Sequence, residues 1–276
     1  MGTVFIGPAG WSYEDWKGRV YPEPAPRGFD PLAYLAGYFR CIEVNSSFYR
    51  PPGARMTEAW ARRTPDGFVF TLKAWERFTH DREGFSEADV RMFRDGLSPL
   101  RDAGKLGAVL LQYPWFFRDG PGSRDRLKRA SDALRGEAPL VVELRHRSWL
   151  QAFDFLKENG LGFCNIDQPA SAAALTGTNY VLGPVGYVRL HGRNAKAWFD
   201  AKAGRDQKYD YLYSLEELKP WIEAIAEMGE ADSLFVITNN HFQGKAVANA
   251  IQLARALGKE VEVPPALRSA YPHLFS

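Results

Sequence analysis

Cysteine is scarce, at two in 276 residues, and histidine nearly so at five. With only Cys41 and Cys164, both in or beside apolar runs, the chain is no disulfide-stapled scaffold. Each thiol reads as a small buried hydrophobe in a reducing compartment. Apolar runs longer than a strand are missing, which excludes a membrane-spanning helix. Neither sign of charge is in excess: 35 basic and 33 acidic side chains leave a net charge of +2. That balance disfavours a nucleic-acid or membrane surface as partner. No basic segment precedes the first apolar run, so no secretory signal is expected and the expected location is cytoplasmic. Linkers, low-complexity tracts and internal repeats are lacking too, so one domain over 1–276 is expected.

What is present is a run of strand-sized apolar segments separated by helix signals. The chain is organised around the segment that starts at Leu140-Val141-Val142. This β-branched run has the composition of a strand buried on both faces. It ends in Glu143, Arg145 and His146, and Ser148 then reads as an N-cap before Trp149 opens a helix. Seven further strands are expected at 3–7, 41–45, 68–73, 108–112, 162–167, 186–192 and 234–238. Helices are announced by Asp30-Pro31 and by the capping boxes Ser86/Asp89 and Ser214/Glu217, and they stop at Asn159-Gly160 and Gly258. The stretch 170–183 is small and glycine-interrupted, so an irregular crossover should follow strand six. A long polar loop should reach Tyr213, and 261–276 should form a surface tail. Eight strands alternating with helices in a chain of this length predict an α/β fold of the TIM-like (β/α)8 barrel kind. An open doubly wound sheet is the rival, but Gly7-Pro8-Ala9-Gly10 does not match its glycine-rich first turn.

Several strand ends form motifs: Gly10-Trp11-Ser12-Tyr13, Glu43-Val44-Asn45-Ser46-Ser47-Phe48-Tyr49, Lys73 with Thr79-His80, and Leu111-Gln112-Tyr113-Pro114. Glu143-Leu144-Arg145-His146 with Ser148-Trp149, Asp167 with Pro169, Tyr187 to Gly192, and Asn239-Asn240 with Gly244 complete the set. Together they resemble the YecE-like family, domain of unknown function 72, over nearly the whole chain. The resemblance implies a TIM-like barrel and carries no catalytic assignment. Two departures stand out: Trp115 replaces a second proline frequent in the family, and His241 replaces an aspartate.

Polar residues at the C-terminal ends of barrel strands converge on one mouth. The expected catalytic set is Glu43, Lys73, Glu143, His146, Asp167 and His191. The expected substrate-binding set is Asn45, Gln112, Arg145, Arg189, Tyr209, Asn239, Asn240 and Gly244. Glu143 or Glu43 would serve as acid or base, His146 or His191 as its partner, and Lys73 and Arg189 would stabilise developing negative charge. Lys73 is alternatively a Schiff-base amine. An anion is expected between Arg189 and the Asn239-Asn240-Gly244 turn, ahead of the last helix. Tyr209 and Tyr211, in the long polar loop, are lid candidates.

The bland counterpart is mutual pairing of Glu43, Glu143 and Asp167 with Lys73, Arg145 and Arg189 into a rigid polar core. A mixed metal set of Glu143, His146, Asp167, His191 and His241 ranks lower, because the nearby cations compete for the same carboxylates. A glycosidase pair is awkward with cations between the carboxylates. A mouth that binds a nucleotide or nucleic-acid end finds little support in the charge balance. The sequence thus points to a hydrolase or lyase acting on a small anionic, phosphorylated substrate, with no organic cofactor, no favoured metal and an oligomeric state left open.

Overall fold

A computed structural model describes residues 2–275. Eight strands, β1 (Thr3–Pro8), β2 (Cys41–Val44), β3 (Val69–Lys73), β4 (Leu106–Gln112), β5 (Leu140–Glu143), β6 (Leu161–Asp167), β7 (Val185–Leu190) and β8 (Ser233–Thr238), form one sheet. Its order is β1-β8-β7-β6-β5-β4-β3-β2, and every pairing is parallel. Where β1 approaches β2, a bridge between Ala9 and Glu43 and a hydrogen bond from the Gly10 N–H to the Glu43 carbonyl (2.8 Å) bring the ends together. The fold is a TIM-like α/β barrel. The expected irregular crossover is there: 168–184 joins β6 to β7 with no helix between them.

Side-chain size sets the interior below the mouth. Phe5 stacks on Phe235 at 5.2 Å between ring centroids, and Tyr187 lies above Phe235 at 5.9 Å. Room for Phe235 comes from Gly107, where a Cβ would lie 2.5 Å from both the Phe235 ring and Val69. Pairing skips from Phe70–Leu106 to Thr71–Ala108, which makes Gly107 the extra residue of a bulge.

Barrel closure leans on another glycine. A Cβ on Gly7 would come within 1.9 Å of the Cys41 carbonyl oxygen, so the β1 and β2 backbones approach more closely than any side chain allows. Gly7→Ala is expected to cost roughly 1–3 kcal/mol by forcing the seam apart. Gly122→Ala has nothing within 4 Å of its new Cβ and should be neutral or slightly stabilising in its helix. Parallel denaturant titrations of the two variants check this, and equal stabilities would count against a tight seam.

Outside the barrel, the two expected capping boxes form, at Ser86/Asp89 and Ser214/Glu217. The cap after β5 differs from expectation. His146, not Ser148, is the N-cap: its Nδ1 accepts from the Ser148 N–H (3.2 Å), while Ser148 Oγ accepts from the Asp119 N–H (2.9 Å). The polar loop after β7 folds into two short helices, Ala195–Trp198 and Arg205–Lys208. The C-terminal segment forms the helix Pro265–Ala270 and buries Leu267, Tyr271 and Phe275 against the core. Its Tyr271 hydroxyl donates to the Gln243 carbonyl (2.8 Å), which ties it to the loop after β8.

Candidate functional site

Residues two apart on a strand share a face, and this decides which strand-end side chains meet. On β7, Tyr187 and Arg189 point into the barrel, with His191 next along the same face. From β2 comes Glu43, from β3 Thr71 and Lys73, and from β5 Glu143, followed by Arg145. The Arg189 guanidinium, 2% exposed, donates to Glu43 Oε1 (2.7 Å) and to Glu143 Oε2. Arg145 closes on the other Glu143 oxygen through Nε (2.8 Å) and Nη2 (2.6 Å). The Tyr187 hydroxyl donates to Glu43 Oε2 (2.8 Å) and lies 2.7 Å from Thr71 Oγ1. Two buried carboxylates are thus shared between two guanidiniums. Burial alone would raise the Glu143 pKa, but Arg189 and Arg145 outweigh it and hold the carboxyl well below the usual range.

The polar chain continues to β8. Asn45 Nδ2 donates to Asn239 Oδ1 (3.2 Å), which leaves the Asn239 amide nitrogen to donate to His191 Nδ1 (3.0 Å). With Nδ1 an acceptor, the ring proton belongs on Nε2, 3.4 Å from Glu143 Oε1. Burial pushes His191 down to about 3, so this imidazole is neutral across the physiological range.

Above the ion cluster lies a small well of about 70 Å3. Lys73, Arg145, Arg189 and Arg205 line it with Asn45, Gln112, Asn239, Tyr13, Tyr49, Tyr209 and His241, and among the described residues no carboxylate does. Lys73 is the unusual member. Its ammonium sits 3.6 Å from the Phe48 ring centroid, and among the described residues no carboxylate reaches it within salt-bridge distance. Burial first, then the positive charge of Arg189, lowers its pKa to about 7. His241 stacks on Tyr13 at 4.6 Å and lies 5.2 Å from Tyr209, and burial lowers its pKa to about 4.

Not every expected residue reaches this mouth. Asp167 faces outward with Asn165: its carboxylate accepts from Arg193 (2.7 Å) and from Trp221 Nε1 (2.7 Å) on the helix Leu215–Glu227. Asn240 likewise turns out of the barrel and donates to the Tyr211 carbonyl and to Asn249. Gly244 adopts φ +81 before the helix Lys245–Ala256 and is not part of the well. The anion position expected between Arg189 and the Asn240–Gly244 turn is therefore not assembled, because Arg189 is taken by two carboxylates and Asn240 faces the outer helices. His146 lies beyond the rim, on a larger cavity of about 630 Å3 that shares Arg145 and Tyr209 with the well. Of the five side chains weighed as a metal set, only Glu143 and His191 come together (3.4 Å), while His146, Asp167 and His241 lie elsewhere. Among the described residues no three His, Cys, Asp or Glu side chains converge on a point that a cation could occupy.

Tyr13, Tyr49 and Arg205 line the well without having been expected there. Tyr13 and Tyr49 do lie in family motifs. Arg205 sits in a polar loop whose sequence has no periodicity to place it.

The comparisons agree with this architecture. The family described as "Protein of unknown function DUF72" matches residues 5–272. The UPF0759 protein YunF of Bacillus subtilis is 29% identical over 280 residues, covering 93% of this chain and 95% of that one. The UPF0759 protein YecE of Escherichia coli K12 is 31% identical over 145 residues, 52% of this chain and 48% of the relative. Among solved structures, a DUF72 family protein of Thermotoga maritima superposes with a TM-score of 0.82 at 32% identity, covering 93% of this chain and 99% of that one. One from Enterococcus faecalis gives a TM-score of 0.83 at 24% identity, with 95% and 98% covered. A family match across almost the entire barrel, with its motifs at the strand ends that build the mouth, makes this chain a member of the DUF72 family.

Proposed function

We propose that the protein is a lyase that holds a small anionic, phosphate-bearing carbonyl compound in the mouth and reacts with it through Lys73. The observation that carries this reading is a well lined, among the described residues, by four cations and no carboxylate, one of the four being an amine brought down to about 7. An amine beside fixed guanidiniums is easily deprotonated at neutral pH, which is what nucleophilic attack on a carbonyl requires. Arg205 and Arg145 reach the well and attract the anion, while Arg189 stays committed to Glu43 and Glu143 and Lys73 supplies the lone pair. Attack by Nζ on the carbonyl carbon gives a carbinolamine. Loss of water then gives an iminium. The neighbouring carbon–carbon bond breaks, its electron pair passing to the Lys73 nitrogen as an enamine, while the β-hydroxyl proton goes to solvent water and the β-carbon leaves as an aldehyde. Protonation and hydrolysis release the second carbonyl product and regenerate the amine.

Glu143 suits a supporting role better than the acid/base role its position suggests. Three donors surround its oxygens, and it is held ionised, so it anchors the guanidiniums rather than shuttling a proton. We place the protein in the cytoplasm on its two buried, unpaired cysteines.

The test is reductive trapping. Borohydride is added to the protein with pyruvate, glyceraldehyde 3-phosphate or dihydroxyacetone phosphate, and peptides are mapped by mass. A reduced adduct on Lys73, absent from Lys73→Arg, is the expected result for at least one phosphorylated carbonyl. Lysines modified at random, or no adduct from any of the three, would remove the amine from the mechanism.

A further inference from the structure

The well, at about 70 Å3, has room for an anionic head and the carbonyl next to it, beside Lys73, but not for a bulky body. The rest of any ligand has to leave past Arg145 and Tyr209, the two residues that the well shares with the larger cavity. That cavity, about 630 Å3, lies within the roughly 300–1,000 Å3 usual for small-molecule sites.

Its wall is mostly apolar, and its largest side chains are flat. Trp115 and Phe199 are 67% and 59% exposed, although aromatic side chains of this size are normally covered. Trp198 carries the Arg145 guanidinium over its ring at 5.7 Å and meets Tyr209 edge-on at 5.7 Å. Tyr209 and Trp198 therefore lead from the cationic well into the cavity that Trp115 and Phe199 also line. Among the described residues one carboxylate, Asp200, borders the cavity, fewer than a surface built to bind many sugar hydroxyls would need.

We infer that the ligand is bipartite: an anionic group in the well joined to a planar aromatic body in the chamber bordered by Trp115, Trp198 and Phe199. This rests on the proposed anionic ligand and adds the class of the remainder. The aromatic body supplies dispersion and stacking on the exposed rings, and Arg145 reads the junction between the two parts. Trp115 then becomes a specificity residue, where a proline could offer no comparable ring.

Calorimetric titration with inorganic phosphate, 1-naphthyl phosphate and 1-naphthol tests the inference on the intact protein. The naphthyl ester should bind at least tenfold more tightly than phosphate, about 1.4 kcal/mol. Trp115→Ala and Phe199→Ala change largely exposed side chains, so folding should survive. Each should reduce that advantage and leave the phosphate affinity as it was, whereas Arg205→Gln should weaken both anions. If phosphate binds and the naphthyl group adds nothing, the aromatic chamber is overturned and the anion well stands. If neither anion binds, both readings fall. If 1-naphthol binds as tightly as its phosphate ester, the chamber is a generic apolar surface and the bipartite ligand is overturned.

Discussion

Arg189→Met is expected to lower folding stability by roughly 3–5 kcal/mol, the cost of leaving buried charge without its partner. Two carboxylates depend on this one side chain. Glu43 would keep only the Tyr187 hydroxyl, and Glu143 would keep Arg145 and the weak contact with His191. In a chain of this size such a loss should lower the melting temperature by on the order of 10 °C. The informative control removes the unpaired charge. Adding Glu43→Gln to Arg189→Met should recover most of the loss, because Glu143 then keeps Arg145 and no unpaired ion is left in the cluster. A single Arg189→Met variant as stable as the parent would mean that the carboxylates do not rely on it. Acid should act in the same direction. The folded Glu143 pKa is depressed below its ordinary 4.5, so the stability it contributes is complete above that pH and is lost as pH falls towards the folded value.

For Lys73 the sign is reversed. Its folded pKa, about 7, lies below the ordinary 10.5, so the unfolded chain binds the proton more tightly. Keeping Lys73 in the mouth therefore destabilises the fold most below about pH 7, where both states are protonated. The cost shrinks through the window from about 7 to 10.5 and vanishes above it. Lys73→Met should consequently stabilise the protein more at pH 6 than at pH 9, by a difference of about 2–3 kcal/mol. The difference between the two pH values is the readout, because the variant also loses the contact with Phe48 at every pH. Acetic anhydride labelling gives an independent check. The Lys73 peptide should be labelled with a midpoint near pH 7, far below the ordinary lysine value of 10.5. A midpoint near that ordinary value would remove the basis for a reactive amine.

Much of the mouth was legible in the sequence, and the failures have one physical source. The eight strands and their parallel order follow from apolar runs alternating with helix signals. So does the meeting of Glu43, Lys73, Glu143, Arg145, Arg189 and Asn239. What a strand-end position does not reveal is the face. Barrel strands are apolar on both sides, so alternation is invisible in a run such as Leu161–Asp167, where every residue is buried. Cys164 and Ile166 take the inner face there, and Asp167 is left to Arg193 and Trp221. Asn239 and Asn240 split for the same reason, one inward and one outward. The loops resist reading differently. Tyr13 and His241 reach the well from turns and Arg205 from the short helix Arg205–Lys208, none of which periodicity predicts, and His146 takes over as a cap from a serine better suited to the task on propensity alone.

The bridge from Glu43 through Arg189 to Glu143 also bears on how such a barrel can change over evolutionary time. One anion comes from the first four strands, whereas the guanidinium and the second anion come from the last four. Separating the molecule between β4 and β5 would strand a bare carboxylate and a bare amine in one piece. The other piece would hold a guanidinium short of one partner. Half-barrels of this design are not interchangeable parts: duplication or recombination of either has to carry matching charges in the other, or the ring does not close around its own centre.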